Sequence, residues 1–457
     1  MSNAEKELEQ LSEENKKLKK ELEKVKKEIE RLKKIEKEFE KVNKEFEEFK
    51  AKHTQTVTEL RKALNIKVSK TKTTKPVGAQ NGHKAYNRRI PERIDSIKEH
   101  NPGRCPDCHT KLGKTQEVRQ RYVTDIKLIS KVKNTQHNIH RKYCPTCKRI
   151  VESEVPNVLP HARFGLNLML LIMYLRLGLR LPGNKVCEFL LTMYNLTISE
   201  GEIVNILKQL VVAFGSYYAH LEKMVKIARV KHTDSTSWRV DGKNYFAWVF
   251  IASGVVLYKI RKRNNSRVPL SVFGTKQKGM TLVIDRHSAL RALAEKAGFL
   301  LQLCWAHILD DSKGLAKNFG ADGKYVHNKL KEIFALSKSF EGNGMPEHID
   351  ALKAEIFSLT LRHYQHSTVR RFVNNLWNRD SENLFRFVTD PDVNPTNNIS
   401  ERELRHLVII RKISNGSRSR RGANATAMLL SVIQTLKFNK ENILQNLSNI
   451  LKNPSGY

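Results

Sequence analysis

Three β-rich runs follow one another from residue 230 to residue 263, "VKHTDSTSW", "KNYFAWVFIA" and "VVLYKIRKR", separated only by short glycine-containing turns, "DG" and "SG". Turns that short join neighbouring antiparallel strands, so this part of the chain is expected to fold as a three-strand meander whose first strand carries Asp234. A further strand, "GMTLVIDRHSAL", ends in Asp285 and passes into the helical pattern "SALRALAEKAG". Two carboxylates thus stand at the ends of apolar strands that can pair in one sheet. Neighbouring strands bring such groups within metal-bridging distance. The bland reading of Asp234 is a turn acid that caps the next strand.

Charge points to the partner. The 457 residues carry 82 Lys and Arg against 47 Asp and Glu, a formal net charge of +35, far beyond what solubility requires. The first fifty residues hold fifteen basic residues and fifteen Glu, so the excess lies in residues 51–457. A polyanion is the natural partner, met by the body of the chain. Disorder throughout is excluded by the 40% hydrophobic content. The longest apolar run, "FGLNLMLLIMYLRLGLRL", is broken by Asn167, Arg176 and Arg180, and no charged-then-apolar leader opens the chain. Neither secretion nor membrane spanning is indicated, and a cytoplasmic, nucleoid-associated location is expected.

Leu8, Leu11, Asn15, Leu18, Leu22, Val25, Ile29 and Leu32 keep the alternating spacing of a heptad, with Glu and Lys in the outer positions. The step from Leu32 to Ile35 is irregular, and the seam resumes through Phe39, Val42, Phe46 and Phe49. Residues 1–66 are therefore expected to form a coiled-coil helix that makes a homodimer or higher oligomer, with Asn15 at an a position. A solvated single helix is the alternative. Residues 67–100 read as a basic linker, either lying along phosphates or an inert tether.

Cys105 and Cys108 of "CPDC" and Cys144 and Cys147 of "CPTC" form two knuckles. Four thiolates so paired suit a tetrahedral structural Zn²⁺, and the intervening "RYVTDIKLI" and "TQHNIHRKY" alternate like strands, giving a zinc-ribbon-like module over residues 101–160. His109 and His140 are second-choice ligands. Residues 161–225 read as helices, and "NKVCEFLLTMYN", "LTIS" and "EGEIVNILKQLVVAF" have the size of a helix-turn-helix with Ser199 as an N-cap. Such a unit can enter a major groove, and a core helical hairpin looks the same.

A third acid is needed if divalent ions are to be held. "NPTNNISERELRHLVIIRK" offers Glu401 at the start of a cationic helix. With Leu404, Leu407 and Val408 taken as the buried face, Glu401 is expected nearer that face than Glu403. Each acid has a capping alternative, Glu401 with Asn398 and Glu403 with Ser400.

The zipper, the paired CxxC, "HTDSTSW", "VIDRHSAL", "LCWAH", "NNISERELR" and "GSRSRRGANATAMLLSVIQTLKFN", in this order, resemble the IS66 family of bacterial insertion-sequence transposases across nearly the whole chain. The resemblance implies a multidomain α/β protein with an RNase H-like catalytic domain over residues 226–437, a helical insertion at about 312–390 and a C-terminal helix over 438–457. It implies a catalytic triad of Asp234, Asp285 and Glu401 that holds Mg²⁺ or Mn²⁺, two ions per site, for cleavage of element ends and strand transfer into target DNA. Double-stranded DNA would be the partner, with accessory transposition proteins. Arg402, Arg405, Arg411, Arg418, Arg420 and Arg421 would meet the phosphate backbone. Trp305 and His307 match a family motif, with buried packing at least as good a role as chemistry. Two stretches depart from the family pattern: Arg286 and His287 stand where Gly and an aromatic residue are usual, and "ILDDSK" replaces a basic stretch after "CWAH". A catalytically silent dimeric zinc protein that only binds DNA, and a nuclease without strand transfer, are the rival expectations.

Overall fold

The computed structural model describes residues 162–453 without interruption, residues 155–160, and scattered positions before them. Of the heptad seam, Leu22, Ile29 and Leu32 are described, helical and exposed in the single chain. The rest of the seam, most of the 67–100 linker, and Cys105, Cys108 and Cys147 of the expected zinc site lie outside the described residues. Cys144 ends strand β1 (Lys142–Cys144), which pairs antiparallel with β2 (Arg149–Val151). Of the run expected to alternate as a strand, residues 135–138 have no regular structure, and Lys142 and Tyr143 lie in β1.

The helical region forms as its periodicity predicts: α1 (Leu166–Met173), α2 (Gly183–Tyr194), α3 (Glu200–Ala213) and α4 (Gly215–Ile227). Ser199 caps α3, its hydroxyl accepting from the Glu202 N–H at 3.1 Å. α3 buries Ile203, Ile206 and Leu210 and leaves Val204, Asn205, Lys208 and Val212 exposed.

Next comes the meander, β3 (Val230–Val240), β4 (Lys243–Ala252) and β5 (Val255–Arg261). Its two-residue turns work because Asp241 and Gly242 (φ 51° and 69°), and Ser253 and Gly254 (47° and 76°), all take positive φ. That is the geometry whose twist matches flanking antiparallel strands. After α5 (Arg267–Phe273), strand β6 (Thr281–Ile284) joins β3 in parallel, α6 (Ser288–Ala297) crosses over, and β7 (Leu300–Leu303) pairs parallel with β6. The sheet order is β5-β4-β3-β6-β7, with β3 at its centre.

From β7 the chain runs straight into helices: α7 (Trp305–Asn318), α8 (Gly320–Ser339), α9 (Pro346–Thr360), α10 (Ser367–Asn375) and α11 (Arg386–Thr389). The helical block thus starts seven residues ahead of the expected 312. It is anchored by Trp305, fully buried, whose indole N–H donates to the Leu384 carbonyl at 2.8 Å. α12 (Asn398–Ser414) then returns over β3 and β4, and α13 (Arg420–Phe438) and α14 (Ile443–Lys452) close the fold.

β5 is an edge strand, and α13 covers that edge. The N–H groups of Val256 and Tyr258 donate to Thr435 Oγ1 and Ser431 Oγ at 3.1 and 2.8 Å, so helix hydroxyls satisfy donors that no further strand reaches. Replacing Ser431 with Ala strands the buried Tyr258 N–H. The variant is expected to lose about 1–3 kcal/mol of stability in urea unfolding.

Candidate active site

Asp234 sits within β3, fifth of eleven residues, and not at a strand end as expected. The strand runs on because β4 pairs with it from His232 to Val240. Its other edge is different: the parallel ladder to β6 stops at His232 opposite Val283. Two residues further along each strand stand Asp234 and Asp285. The same register sets them side by side, with equal parity and so on the same face. Asp285 follows β6 directly and accepts from the His287 N–H at 3.1 Å, while the His287 ring caps α6 by accepting from the Ala289 N–H. This is the carboxyl end of the parallel strands, where open α/β sheets leave a crevice.

Glu401 arrives from the first turn of α12. Its Oε1 lies 3.6 Å from His307 Nε2 on α7, at a site where both side chains are about two-fifths exposed. Burial pushes the Asp234 carboxyl up to about 6, the Asp285 and Glu401 charges push the same way, and the Ser235 N–H and His307 oppose them. Conversely the Cys304 thiol beside it, together with Glu401 and Asp285, holds His307 up to about 9 against its burial. Three carboxylates and one imidazolium therefore feel one another in a single pocket of charge. Among the described residues no three His, Cys, Asp or Glu side chains draw close enough to hold a metal ion by themselves.

The expected orientation of α12 needs correction. Its buried stripe is Ser400, Glu403, Leu404, Leu407 and Ile410, so Glu403 lies at the centre of the buried face, 8% exposed, and Glu401 at its margin. Val408 is only half-buried, and taking it as core had rotated the predicted face by most of a step. Glu403 is spoken for: it meets Arg402 at 3.2 Å and His406 at 3.6 Å, and its carbonyl accepts from the Tyr258 hydroxyl at 2.8 Å. Glu401 is the one that faces the other acids. Neither makes the capping box that was the alternative, because the N-cap is Asn397.

Of the arginines, Arg402, Arg405, Arg418, Arg420 and Arg421 are exposed. Arg411 instead turns back onto β3 and donates to Ser237, bracing α12 against the strand. The substitutions after Asp285 also find their partners. Arg286 meets Asp311 of "ILDDSK" at 3.1 Å and the fully buried Asp380 at 2.8 Å, and Arg291 and Arg379 reach Asp380 at 2.7 and 3.1 Å. His307, left between packing and chemistry in the sequence, is placed among the acids, and its motif was the only signal that marked it. Cys304 is buried, its sulfur accepting the Asn397 N–H at 3.1 Å.

A sequence profile described as "Transposase IS66 family" matches residues 161–425. No curated protein sequence matches. Among solved structures, the simian T-cell lymphotropic virus intasome in complex with PP2A regulatory subunit B56 gamma is 11% identical and covers 43% of this chain and 71% of that one at a TM-score of 0.15. At that score it bears on neither fold nor function.

Two outcomes follow from the charges. Because the folded Asp234 titrates near 6 and an unfolded Asp near 3.8, the protonated form is favoured, and stability is complete below pH 4 and falls as pH rises through 6. Without added metal, Asp234→Asn is expected to melt higher than the unaltered chain at pH 7.5, by up to about 3 kcal/mol, and equally at pH 4. Asp380→Asn leaves the Arg291 guanidinium without its counter-ion and Arg286 with Asp311 alone, and is expected to cost about 3–5 kcal/mol in the same unfolding measurement.

Proposed function

The chain belongs to the IS66 family of transposases, and from that premise we propose that it cuts the ends of a DNA element and joins them to target DNA, with Asp234, Asp285 and Glu401 as the catalytic acids. The observation that carries this reading is the placement of the three acids: the β3–β6 register sets Asp234 and Asp285 on one face, α12 brings Glu401 to them, and burial together with both other acids raises the proton affinity of Asp234. Surplus negative charge in one place is what a divalent cation relieves.

The donor set fits Mg²⁺ or Mn²⁺: three carboxylates supply hard oxygen ligands, come from three separate elements at one end of a sheet, and repel one another in its absence. When bound, such ions lower the pKa of a water or DNA hydroxyl and stabilise the leaving oxygen in an in-line displacement at phosphorus. The chain's own residues do the rest. Asp234 and Asp285 are fixed by the β3–β6 register, and Glu401 is delivered by α12. His307, held up to about 9, sets a positive charge beside Glu401, suited to a phosphate oxygen. Arg402, Arg405, Arg418, Arg420 and Arg421 present exposed guanidinium groups on α12 and the turn beyond it, suited to backbone phosphates.

This reading takes the four paired cysteines as a structural Zn²⁺ site and the N-terminal heptads as the dimerisation element. The RNase H-like description rests on sheet order, three antiparallel strands followed by two parallel ones beside the first. Among the described residues no helix is long and apolar enough to cross a membrane. The silent alternative draws on the residues after Asp285. Against it, Arg286 is paired with Asp311 and Asp380, so the two departures from the family pattern neutralise each other outside the acid cluster.

The test is cleavage and strand transfer on the element's own terminal DNA with Mg²⁺ or Mn²⁺. The unaltered protein is expected to cut and join, and Asp234→Asn, Asp285→Asn and Glu401→Gln to bind the same DNA while losing activity by at least about 1000-fold. Cutting without joining would make it a nuclease. Strong binding with no reaction under either metal, with or without accessory factors, would leave the silent DNA-binding protein.

A further inference from the structure

We propose that Asn397 is a positioning residue, the joint that sets Glu401 against the two aspartates; its catalytic meaning rests on the function proposed above. The side chain is 1% exposed, at the N-cap of α12, four residues before Glu401. Buried amides are costly unless both ends are satisfied, and this one is satisfied by three separate parts of the site.

Its Nδ2 donates to the Thr233 carbonyl at 3.0 Å, one residue from Asp234. A carbonyl can only accept, which fixes the amide's orientation and turns Oδ1 toward Ser400 Oγ at 2.8 Å and His232 Nδ1 at 3.2 Å. Because Oδ1 can only accept, the His232 Nδ1 is the donor of that bond. The backbone N–H of Asn397 goes to Cys304 Sγ at 3.1 Å, and the Cys304 N–H goes to the Ile284 carbonyl at 2.8 Å, one residue from Asp285. Finally, the Asn397 carbonyl accepts the N–H groups of Ser400 and Glu401 at 3.0 and 3.4 Å.

The bonds to Thr233, Ser400 and Glu401 thus land on, or next to, an acid-bearing position, and those to His232 and Cys304 tie the same residue to β3 and to the start of α7. A packing residue has no reason to be so placed. Leucine would fill the same volume yet strand the Thr233 carbonyl, the Ser400 hydroxyl and the His232 N–H together, and aspartate cannot donate to Thr233 at all. Asn397 does not reach the reacting atoms. It acts through the positions of Asp234, Asp285 and Glu401, whose neighbours it holds.

Two measurements test this on the full-length protein. The first is amide hydrogen exchange of Asn397→Asp beside the unaltered chain, at a temperature where both are folded. Exchange over residues 397–404 is expected to quicken about tenfold while the β3–β4–β5 meander keeps its protection. The second is single-turnover cleavage of bound DNA. The rate is expected to fall about 100-fold with more Mg²⁺ needed for half-maximal rate, and DNA affinity to change less than about twofold. Should Asn397→Asp not fold, Cys304→Ala, which removes the acceptor of the Asn397 N–H, is expected to loosen the same residues. Exchange that is unchanged, or raised evenly across the sheet, would overturn the proposal whatever the activity. If the unaltered chain cleaves no DNA, the transposase reading falls, and local loosening at 397–404 or its absence still decides the joint.

Discussion

The parallel ladder between β3 and β6 is only three pairs long, Val230 to His232 against Thr281 to Val283, and the site depends on where it stops. Were β6 one residue out of register, Asp285 would point to the opposite face from Asp234. Were the ladder longer, both acids would be buried inside a continuous sheet. Because it ends just before them, β3 continues alone with β4 while β6 turns away into α6, and a gap opens at the carboxyl end of the parallel strands. Asp234 is thereby desolvated on the sheet side and open on the other. The remaining elements act on that gap, with α12 bringing Glu401 and α7 bringing His307.

The meander was legible because two-residue turns dictate antiparallel neighbours, and Asp241-Gly242 and Ser253-Gly254 are the residue types that tolerate positive φ. The step from Asp285 into a helix was equally plain. β7 was not: "LLQL" is four residues long and apolar, a pattern shared by any core segment, and only its parallel pairing with β6 makes it a strand. The face of α12 was misjudged by one position for a related reason. A helix that lies across a sheet and under its own neighbours buries a polar stripe too, and Ser400 belongs to it through Asn397, and Glu403 through Arg402 and His406. Periodicity of apolar residues cannot see burial that hydrogen bonding makes tolerable. For the same reason Arg411 was expected at a phosphate, when it braces α12 against β3.

Net charge also reads differently once placed. A formal +35 suggests a uniformly cationic surface, but some of the basic side chains are held by partners within the fold. Arg286, Arg291 and Arg379 converge on Asp380, Arg229 grips Asp390 and Asp392, and Lys231 lies fully buried against the Gln277 amide at 2.8 Å. These charges fasten β3, the Asp285 turn and the loop leading into α12. Exposed guanidinium groups along α12 and at the start of α13 stay open to a polyanion, next to the acids.

That division bears on why the residues after Asp285 can differ from the family pattern without disturbing the acids. A small residue there would leave the turn loosely held, free to follow α6. Arg286 ties it to α7 through Asp311 and to the helical block through Asp380, and its guanidinium also lies 5.3 Å from the Phe372 ring. Asp311 belongs to the same "ILDDSK" stretch that breaks the basic pattern, so the gained acid answers the gained base. A lone Arg286 beside Asp285 would compete with any cation for that carboxylate. Drawn off by two acids of its own, it leaves Asp285 to the other two carboxylates, and the charge that a divalent ion would meet is set by Asp234, Asp285, Glu401 and His307.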